Sequence, residues 1–454
     1  MAFRKNFEGY VNRGRNILTN LSLAQESVPQ RRYKGSDIVN RVKVPLATIY
    51  TDEEKGAKNF PVKMQRDKML RRLGYTLEEI CILQDYYDTS PRRRGTDPAV
   101  TISFTNQKGG SWKTTTSSYF ASCYASHGYR VALVDVDPQA SATENLGFQP
   151  NIKINGEDTL QNFMTSENSS DPHFKWTYEN ITRIIKDTHN HNLKLIPSNL
   201  DMGYCDFNLT LEMGRNEIQS ADDEETIAIK RRNILNIFTR LRRIIDIISD
   251  DFDIIILDGT PSVGLLPINI MLASDILVVP VPTEFPDFAA TVGFCEIALD
   301  EYDVIAQHLG ETQTDLLFPD AAILPTRFST SNNKTVGSET VMDCIQATFS
   351  ESVINYPIKK HDAVVSNLNV VKRTVFDVNP GLIKTSIGDI NIQSSARKKA
   401  LQNYEYSADL LLNKYIKSFW PSRAQEHEAY IRNLELSQSQ KDSSNSIDNA
   451  TQEA

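Results

Sequence analysis

The segment Asn106-Gln107-Lys108-Gly109-Gly110-Ser111-Trp112-Lys113-Thr114-Thr115 holds the residue types that bind a polyphosphate. Two adjacent glycines let backbone N–H groups approach phosphate oxygens, and a helix starting at Lys113 turns its positive end toward them. Lys113 is placed to neutralise β- and γ-phosphates, and the Thr114 hydroxyl to hold Mg²⁺. The general glycine-framed pattern is met imperfectly, because Gln107 and Trp112 stand at the two framing positions. On its own the segment also fits a glycine turn ahead of a helix. Asp258 ends an apolar run, where a carboxylate points to the ligand edge of an open α/β sheet. Asp135 and Asp137 by themselves read as turn-capping residues; beside a phosphate loop they become candidates for metal and water chemistry.

Such residues need a scaffold. From Ala99 onward the apolar runs Val100–Thr105, Val131–Val136, Leu193–Ile196, Ile254–Leu257, Ile276–Val281 and Ala321–Leu324 alternate with helical stretches. That alternation predicts an α/β fold, a mostly parallel sheet flanked by helices on both faces. Residues 113–127 predict the helix behind the phosphate loop, ending near Gly128. Residues 200–230, with the acidic run Asp222-Asp223-Glu224-Glu225, read as a polar insertion, and 437–454 as a disordered tail. No internal repeat is evident.

Ahead of Ala99 the character changes. Residues 1–98 hold 19 basic and 12 acidic side chains, a balance of +7, against −16 for the remainder. This fits a basic DNA-facing module on an acidic body, or an uneven spread of solvated charge. Phe3, Phe7, Tyr10, Val11, Leu18 and Leu21 share one side of a helix over residues 1–30 that Pro29 ends; its apolar face must dock on its own chain or on a second copy. Residues 33–60 predict two short helices: Ser36 caps the first, Lys43-Val44-Pro45 makes the turn, and Pro45 opens the second. Lys43, Thr48 and Tyr50 are the candidates to face a DNA groove; a purely structural helical cap fits the same pattern. Residues 76–87 predict a further helix with Thr76 capping and Glu79 at its third position. The basic linker Pro91-Arg92-Arg93-Arg94-Gly95 marks a boundary. The expected division is a helix over 1–30, a helical (winged) helix-turn-helix domain over 31–98, an α/β domain over 99–420, and a terminal helix and tail over 421–454.

No stretch approaches the roughly 20 apolar residues of a membrane span, and the N-terminus lacks the apolar core of a signal peptide, so a cytoplasmic chain is expected. The five cysteines are odd in number and scattered, which predicts reduced, mostly buried thiols. The seven histidines show no metal-ligand spacing.

The Lys-Gly-Gly-x-x-Lys-Thr pattern at Lys108–Thr114 resembles the deviant Walker A motif of the ParA/MinD ATPases, and Asn106-Gln107-Lys108-Gly109-Gly110 is particularly ParA-like. The resemblance continues through Gly128-Tyr129-Arg130-Val131, Asp135-Val136-Asp137-Pro138-Gln139, Leu195-Ile196-Pro197-Ser198, Phe252–Asp258 with Pro261-Ser262, and Ala273-Ser274-Asp275-Ile276, in the family's order. It is weaker at Thr374-Val375-Phe376, and coverage runs from about residue 99 to 415. Two departures stand out. Trp112 replaces the usual glycine, as an aromatic does in the long plasmid-type subgroup, and Gly259-Thr260-Pro261 stands where many members have Thr-Pro-Pro.

The resemblance implies an Mg²⁺-dependent ATPase that binds ATP or ADP through Gly109, Gly110, Ser111, Trp112, Lys113, Thr114 and Thr115. Lys108 would reach the nucleotide of the partner subunit in a homodimer. Thr114, Asp135 and Asp258 would serve Mg²⁺, Asp137 would position the attacking water, and Thr326-Arg327 would contact the base. It further implies a nucleoid-associated partition protein that binds DNA non-specifically, is stimulated by a ParB-like centromere-binding protein, and represses its own operon through the N-terminal helix-turn-helix. Lys372-Arg373 and Arg397-Lys398-Lys399 are candidates for phosphate contacts or for a solvated face. The rival reading is a nucleotide-binding repressor with little ATPase activity, Trp112 distorting the loop. A membrane-surface ATPase is disfavoured because Leu434–Ala454 lacks a basic amphipathic helix, and an iron–sulfur reductase because the cysteines lie elsewhere.

Overall fold

The computed structural model describes residues 9–14, 28–57, 59–165, 171–309, 317–329, 337–385 and 388–433. Most of the apolar face expected over 1–30, and the tail 437–454, lie outside them; Tyr10 and Val11 are exposed.

Seven strands form one sheet in the order β3-β4-β2-β5-β1-β6-β7. They are β1 (Val100–Phe104), β2 (Val131–Asp135), β3 (Lys186–Asp187), β4 (Leu193–Ile196), β5 (Ile254–Asp258), β6 (Ile276–Pro282) and β7 (Asp320–Thr326). Every pairing is parallel except β3 with β4. β1, β2, β5 and β6 are buried along their whole length, as apolar strands covered on both faces must be. One face packs on the helices Lys113–His127 and Ser394–Lys414 through Phe120, Tyr124, Tyr404 and Leu411, joined by Trp420 beyond the second helix. The other packs on Gly203–Arg215, Arg240–Asp246 and Leu265–Leu272 through Cys205, Leu209, Leu241, Ile244 and Ile270.

Residues 200–230 are therefore not an insertion. Cys205 and Leu209 on one helix, with Ile234, Ile237 and Phe238 at the end of the next (Glu224–Phe238), are buried. The acidic run serves that second helix. Asp223 caps it by accepting from Thr226 N at 2.7 Å, and Glu224 and Glu225 lie in its first turn, where negative charge favours the helix dipole. A hairpin of β8 (Gly381–Thr385) and β9 (Gly388–Ile392) was not foreseen.

The N-terminal region has its own core of Tyr33, Ile38, Val42, Ile49, Tyr75, Ile80 and Leu83. Its helices are Ser36–Val42, Leu46–Glu54 and Leu77–Tyr86. Gly35, not Ser36, occupies the cap of the first, and Pro45 lies one residue before the second. Lys43 makes the turn in the left-handed region, φ 58°. Thr76 and Glu79 close the reciprocal capping box. A short hairpin follows the second helix, with Arg66 bridged to Arg72. The linker is bound in place: Arg92 donates to Gly128 O at 3.1 Å, Arg93 to Asp250 O at 2.9 Å, and Arg423 reaches Ser90 O at 3.0 Å.

The first region also seizes the end of the helix Lys113–His127. Arg41 Nε donates to Ser126 O (2.8 Å), Gln84 Nε2 to His127 O (2.8 Å) and Arg92 Nε to Gly128 O, while Asn192 Nδ2 takes Ala125 O (3.1 Å). Carbonyls in the last turn of a helix have no partner within it; here four successive ones are bonded by side chains, three of them from residues 41–92.

Candidate functional site

The loop Asn106–Trp112 joins the end of β1 to the helix Lys113–His127, at the C-terminal edge of the sheet where open α/β folds bind ligands. Asn106 anchors it from within: its Nδ2 donates to Pro280 O at 2.9 Å and Thr291 Oγ1 at 3.1 Å, and its Oδ1 accepts from Lys108 N at 3.0 Å. Gly110 sits at φ 78°, and a Cβ at Gly109 or Gly110 would meet no atom within 4 Å, so the space before the loop is open. Trp112 takes φ 68°, which explains why a glycine suits this position. Its ring is partly buried against the main core, and this packing holds a conformation that costs a side-chain-bearing residue roughly 1 kcal/mol or more.

Lys113 is buried, its Nζ bent back onto Lys108 O at 3.2 Å. Burial pushes its pKa down, against the pull of Asp258 and Asp137. The Ser111 hydroxyl is buried with no protein partner. Thr115 is half-buried in the first turn of the helix, and Lys108 is exposed. A buried ammonium, an orphaned buried hydroxyl and a helix N-terminus around open space fit a phosphate chain.

Behind the loop lie the carboxylates. Asp258 accepts from Thr114 Oγ1 and Ser117 Oγ, each at 2.8 Å. Burial raises its pKa to about 7; the two hydroxyls and Lys113 hold it lower, while Asp137 raises it. Asp135 pairs in register with Asp258 across β2 and β5. Burial, then the charge of Asp258, drive the pKa of Asp135 well up. Its oxygens are taken by Thr143 N and Oγ1, both at 2.7 Å, and by Asp137 N at 3.1 Å. Asp137, just beyond β2, accepts from Gln139 N at 2.9 Å and is raised by burial.

Thr114 and Asp258 offer hard oxygen donors, which suit Mg²⁺, while the oxygens of Asp135 are engaged by Thr143 and Asp137 N, which sets it behind the metal position rather than on it. Among the described residues no group of three or more His, Cys, Asp or Glu side chains could hold a metal. Thr326, at the end of β7, donates to Ser111 O at 3.3 Å. Arg327 follows at φ 55° and pairs with Glu284 at 3.3 Å. All of these residues converge on one edge of the sheet.

Residues 43–50 and the basic runs are placed differently. Thr48 is exposed. Tyr50 is half-buried with the Arg72 guanidinium 3.5 Å from its ring centroid, so a cation covers the ring. Lys43 is exposed and lines an open cavity with His127, Glu405 and Asp409. Arg397 is buried among Arg31, Arg41, Asp37 and Tyr33, and Arg373 is half-buried. Lys372 pairs with Glu144 at 2.8 Å. Lys398 and Lys399 are exposed, so the solvated part of the second run is those two lysines.

Sequence reasoning missed Asn106, Ser117 and Thr143 as supports. Ser117 could have been found: it lies three residues after Thr114, on the same helix face.

A family model described as an AAA domain matches residues 99–298. The chain is 27% identical to Protein SopA of Escherichia coli (strain K12) over 421 residues, covering 91% of this chain and 97% of that protein. It is 32% identical to the sporulation initiation inhibitor protein Soj of Bacillus subtilis (strain 168) over 216 residues, 48% of this chain and 68% of that one. A solved structure described as a partition protein superposes with a TM-score of 0.51 at 16% identity, covering 78% of this chain and 92% of its own. Among the described residues no helix is long and apolar enough to cross a membrane.

Proposed function

The chain belongs to the ParA family of partition ATPases, and from that premise we propose that it is an Mg-ATP-driven switch that segregates DNA. The observation that carries the reading is one constellation: a buried Lys113 at the head of an open loop, with Thr114 and Ser117 both bonded to Asp258.

In this reading Lys113 and the loop N–H groups of Gly109 to Thr115 bind the nucleotide phosphates. Thr114 and Asp258 hold Mg²⁺, which supplies charge neutralisation at the transferring phosphoryl group, and Asp135 keeps Asp137 and Thr143 in place behind them. Asp137 orients the water for in-line attack. Phosphoryl transfer asks for positioning and charge more than for covalent chemistry. Thr326 supports the loop at Ser111, and Arg327 reaches toward the base. Lys108, exposed at the loop, extends to the nucleotide of a second copy, so that ATP completes a dimer. That dimer binds DNA through phosphates, without sequence preference. A ParB-like centromere-binding protein stimulates hydrolysis and release, and in the ADP state the region around residues 31–98 binds the operator of its own operon. The division at residue 98, the cytoplasmic, nucleoid-associated location and the 421–454 terminal region belong to the same proposal.

The test is ATP turnover and DNA retention measured together, with and without duplex DNA and a centromere-binding partner. DNA-dependent turnover that the partner raises supports the switch. ATP binding without turnover under every condition would favour the nucleotide-binding repressor instead.

A further inference from the structure

We propose that the tip of the hairpin Gln65–Leu73 is an apolar wedge for duplex DNA, Met69 and Leu70 entering between base pairs from the minor groove. The inference rests on the reading of residues 31–98 as a DNA-binding region and adds how that region grips its target.

The observations are local and concordant. Met69 and Leu70 are each 74% exposed, the most exposed large apolar side chains among the described residues. They are not on a frayed loop. Asp67 organises the tip: its Oδ1 accepts from Met69 N at 2.8 Å and Arg71 N at 2.9 Å, and its Oδ2 from Arg71 Nε at 2.9 Å. The backbone closes beneath it, Asp67 N to Arg71 O and Leu73 N to Gln65 O, both 2.9 Å. Leu70 is held at φ 60°, a left-handed conformation that a leucine adopts only when its surroundings impose it. The chain thus spends a carboxylate and a strained residue on holding two apolar side chains out in water.

The charges around the tip favour a polyanion. Lys63, Arg66, Lys68 and Arg71 are exposed; the one acid on the hairpin, Asp67, pairs with Arg71 at 2.9 Å, and Arg66 lies 3.9 Å from Glu54. The neighbouring helix Leu46–Glu54 is joined to the hairpin through Glu54, which takes Arg72 at 2.5 Å. Glu53 accepts from Met64 N and Tyr75 Oη and Asp52 from Tyr87 Oη; these acids keep their charge, and residues 52–72 still hold seven Lys and Arg against four Asp and Glu. A rigid apolar pair flanked by cations is the chemistry that unstacks a base step and kinks a duplex, the flanking phosphates being held by lysine and arginine. A lipid surface would welcome the same charges, but two side chains offer little of the apolar area that stable membrane binding needs.

The test uses the full chain with ADP. Wild-type protein selects 40-base-pair duplexes from a randomised pool; bending is read by end-to-end energy transfer and unstacking by 2-aminopurine fluorescence. The variant Met69→Ser/Leu70→Gly keeps the Asp67 network and suits the positive φ at position 70, so it should retain wild-type ATP turnover. Loss of at least about tenfold in duplex affinity, or about 1.4 kcal/mol, together with loss of the bend and of the fluorescence change, supports the wedge. Equal affinity and equal bending in variant and wild type would overturn the wedge alone. Failure of the wild type to select any duplex would overturn the DNA-binding reading and the wedge with it. Phosphatidylglycerol vesicles captured by wild type but not by the variant, with duplex binding unchanged, would overturn it in favour of a lipid surface.

Discussion

Asp135 and Asp258 stand opposite each other on adjacent parallel strands, both fully buried. Two carboxylates so placed resist ionising together, and burial holds Asp258 near pH 7 before any ligand arrives. A proton therefore competes with Mg²⁺ for Asp258. Because the raised carboxylate is ionised only above about 7, Mg–ADP affinity should fall as pH drops from 8 to 6, by up to about tenfold per unit below the midpoint. Asp258→Asn should bind Mg–ADP weakly with a flat profile. Calorimetry at three pH values checks this; an equal slope in wild type and variant would remove Asp258 from the metal site.

Ser117 holds one oxygen of that carboxylate. Ser117→Ala deletes a donor to the charged form, which raises a carboxylate pKa. The midpoint of Mg–ADP binding should move to higher pH while affinity at pH 9 stays near wild type. A midpoint that stays put would assign Ser117 a packing role only.

Lys113→Ala should abolish nucleotide binding or turnover, since the buried ammonium is the main counter-charge for a polyphosphate at this loop. Equilibrium binding of a fluorescent ATP analogue and a steady-state turnover assay provide the measurement. Near-normal values in both would contradict the phosphate site.

Asp137→Ala should lower turnover far more than affinity, because binding rests on Lys113, the loop amides and Thr114. With ATP left intact, DNA retention should persist after ATP addition and weaken steeply with salt. Turnover and retention measured side by side decide the matter. Equal turnover in variant and wild type would take Asp137 off the catalytic list.

Arg41→Ala should loosen the link between the first hundred residues and the phosphate loop. Arg41 is buried and bonds Ser126 through both carbonyl and hydroxyl, at 2.8 and 3.3 Å. A stability loss of about 1–3 kcal/mol is expected, along with a smaller difference between duplex affinities measured with ADP and without nucleotide. A difference equal to that of the wild type would mean that the contact only stabilises.

Much of the site is local and so could be read from the chain. The helix behind the loop begins at Lys113 and ends at His127 with Gly128 at φ 111°, because a glycine stop and an apolar pattern are written within a few residues of one another. Asp258 was visible as the end of an apolar run. What escaped depends on distant partners. The cation over Tyr50 comes from Arg72, and the burial of Arg397 comes from Arg31 and Tyr33, more than 360 positions away. The run 200–230 looked polar because its helices bury narrow faces such as Cys205 and Leu209, too few apolar positions to stand out from the charged ones.

The bonded carbonyls at the far end of the helix Lys113–His127 bear on how the gene can be cut. Removing residues 1–98 would strip Ser126, His127 and Gly128 of their side-chain donors and bare a surface that includes the Arg397 side chain. The shortened product would carry a damaged support under its phosphate loop, so it is no neutral control for DNA binding. The same reasoning limits swaps between relatives: an exchanged N-terminal region must bring its equivalents of Arg41, Gln84 and Arg92, or the recipient helix must change with it. In this chain the two regions are held together by the side-chain bonds at the end of that helix.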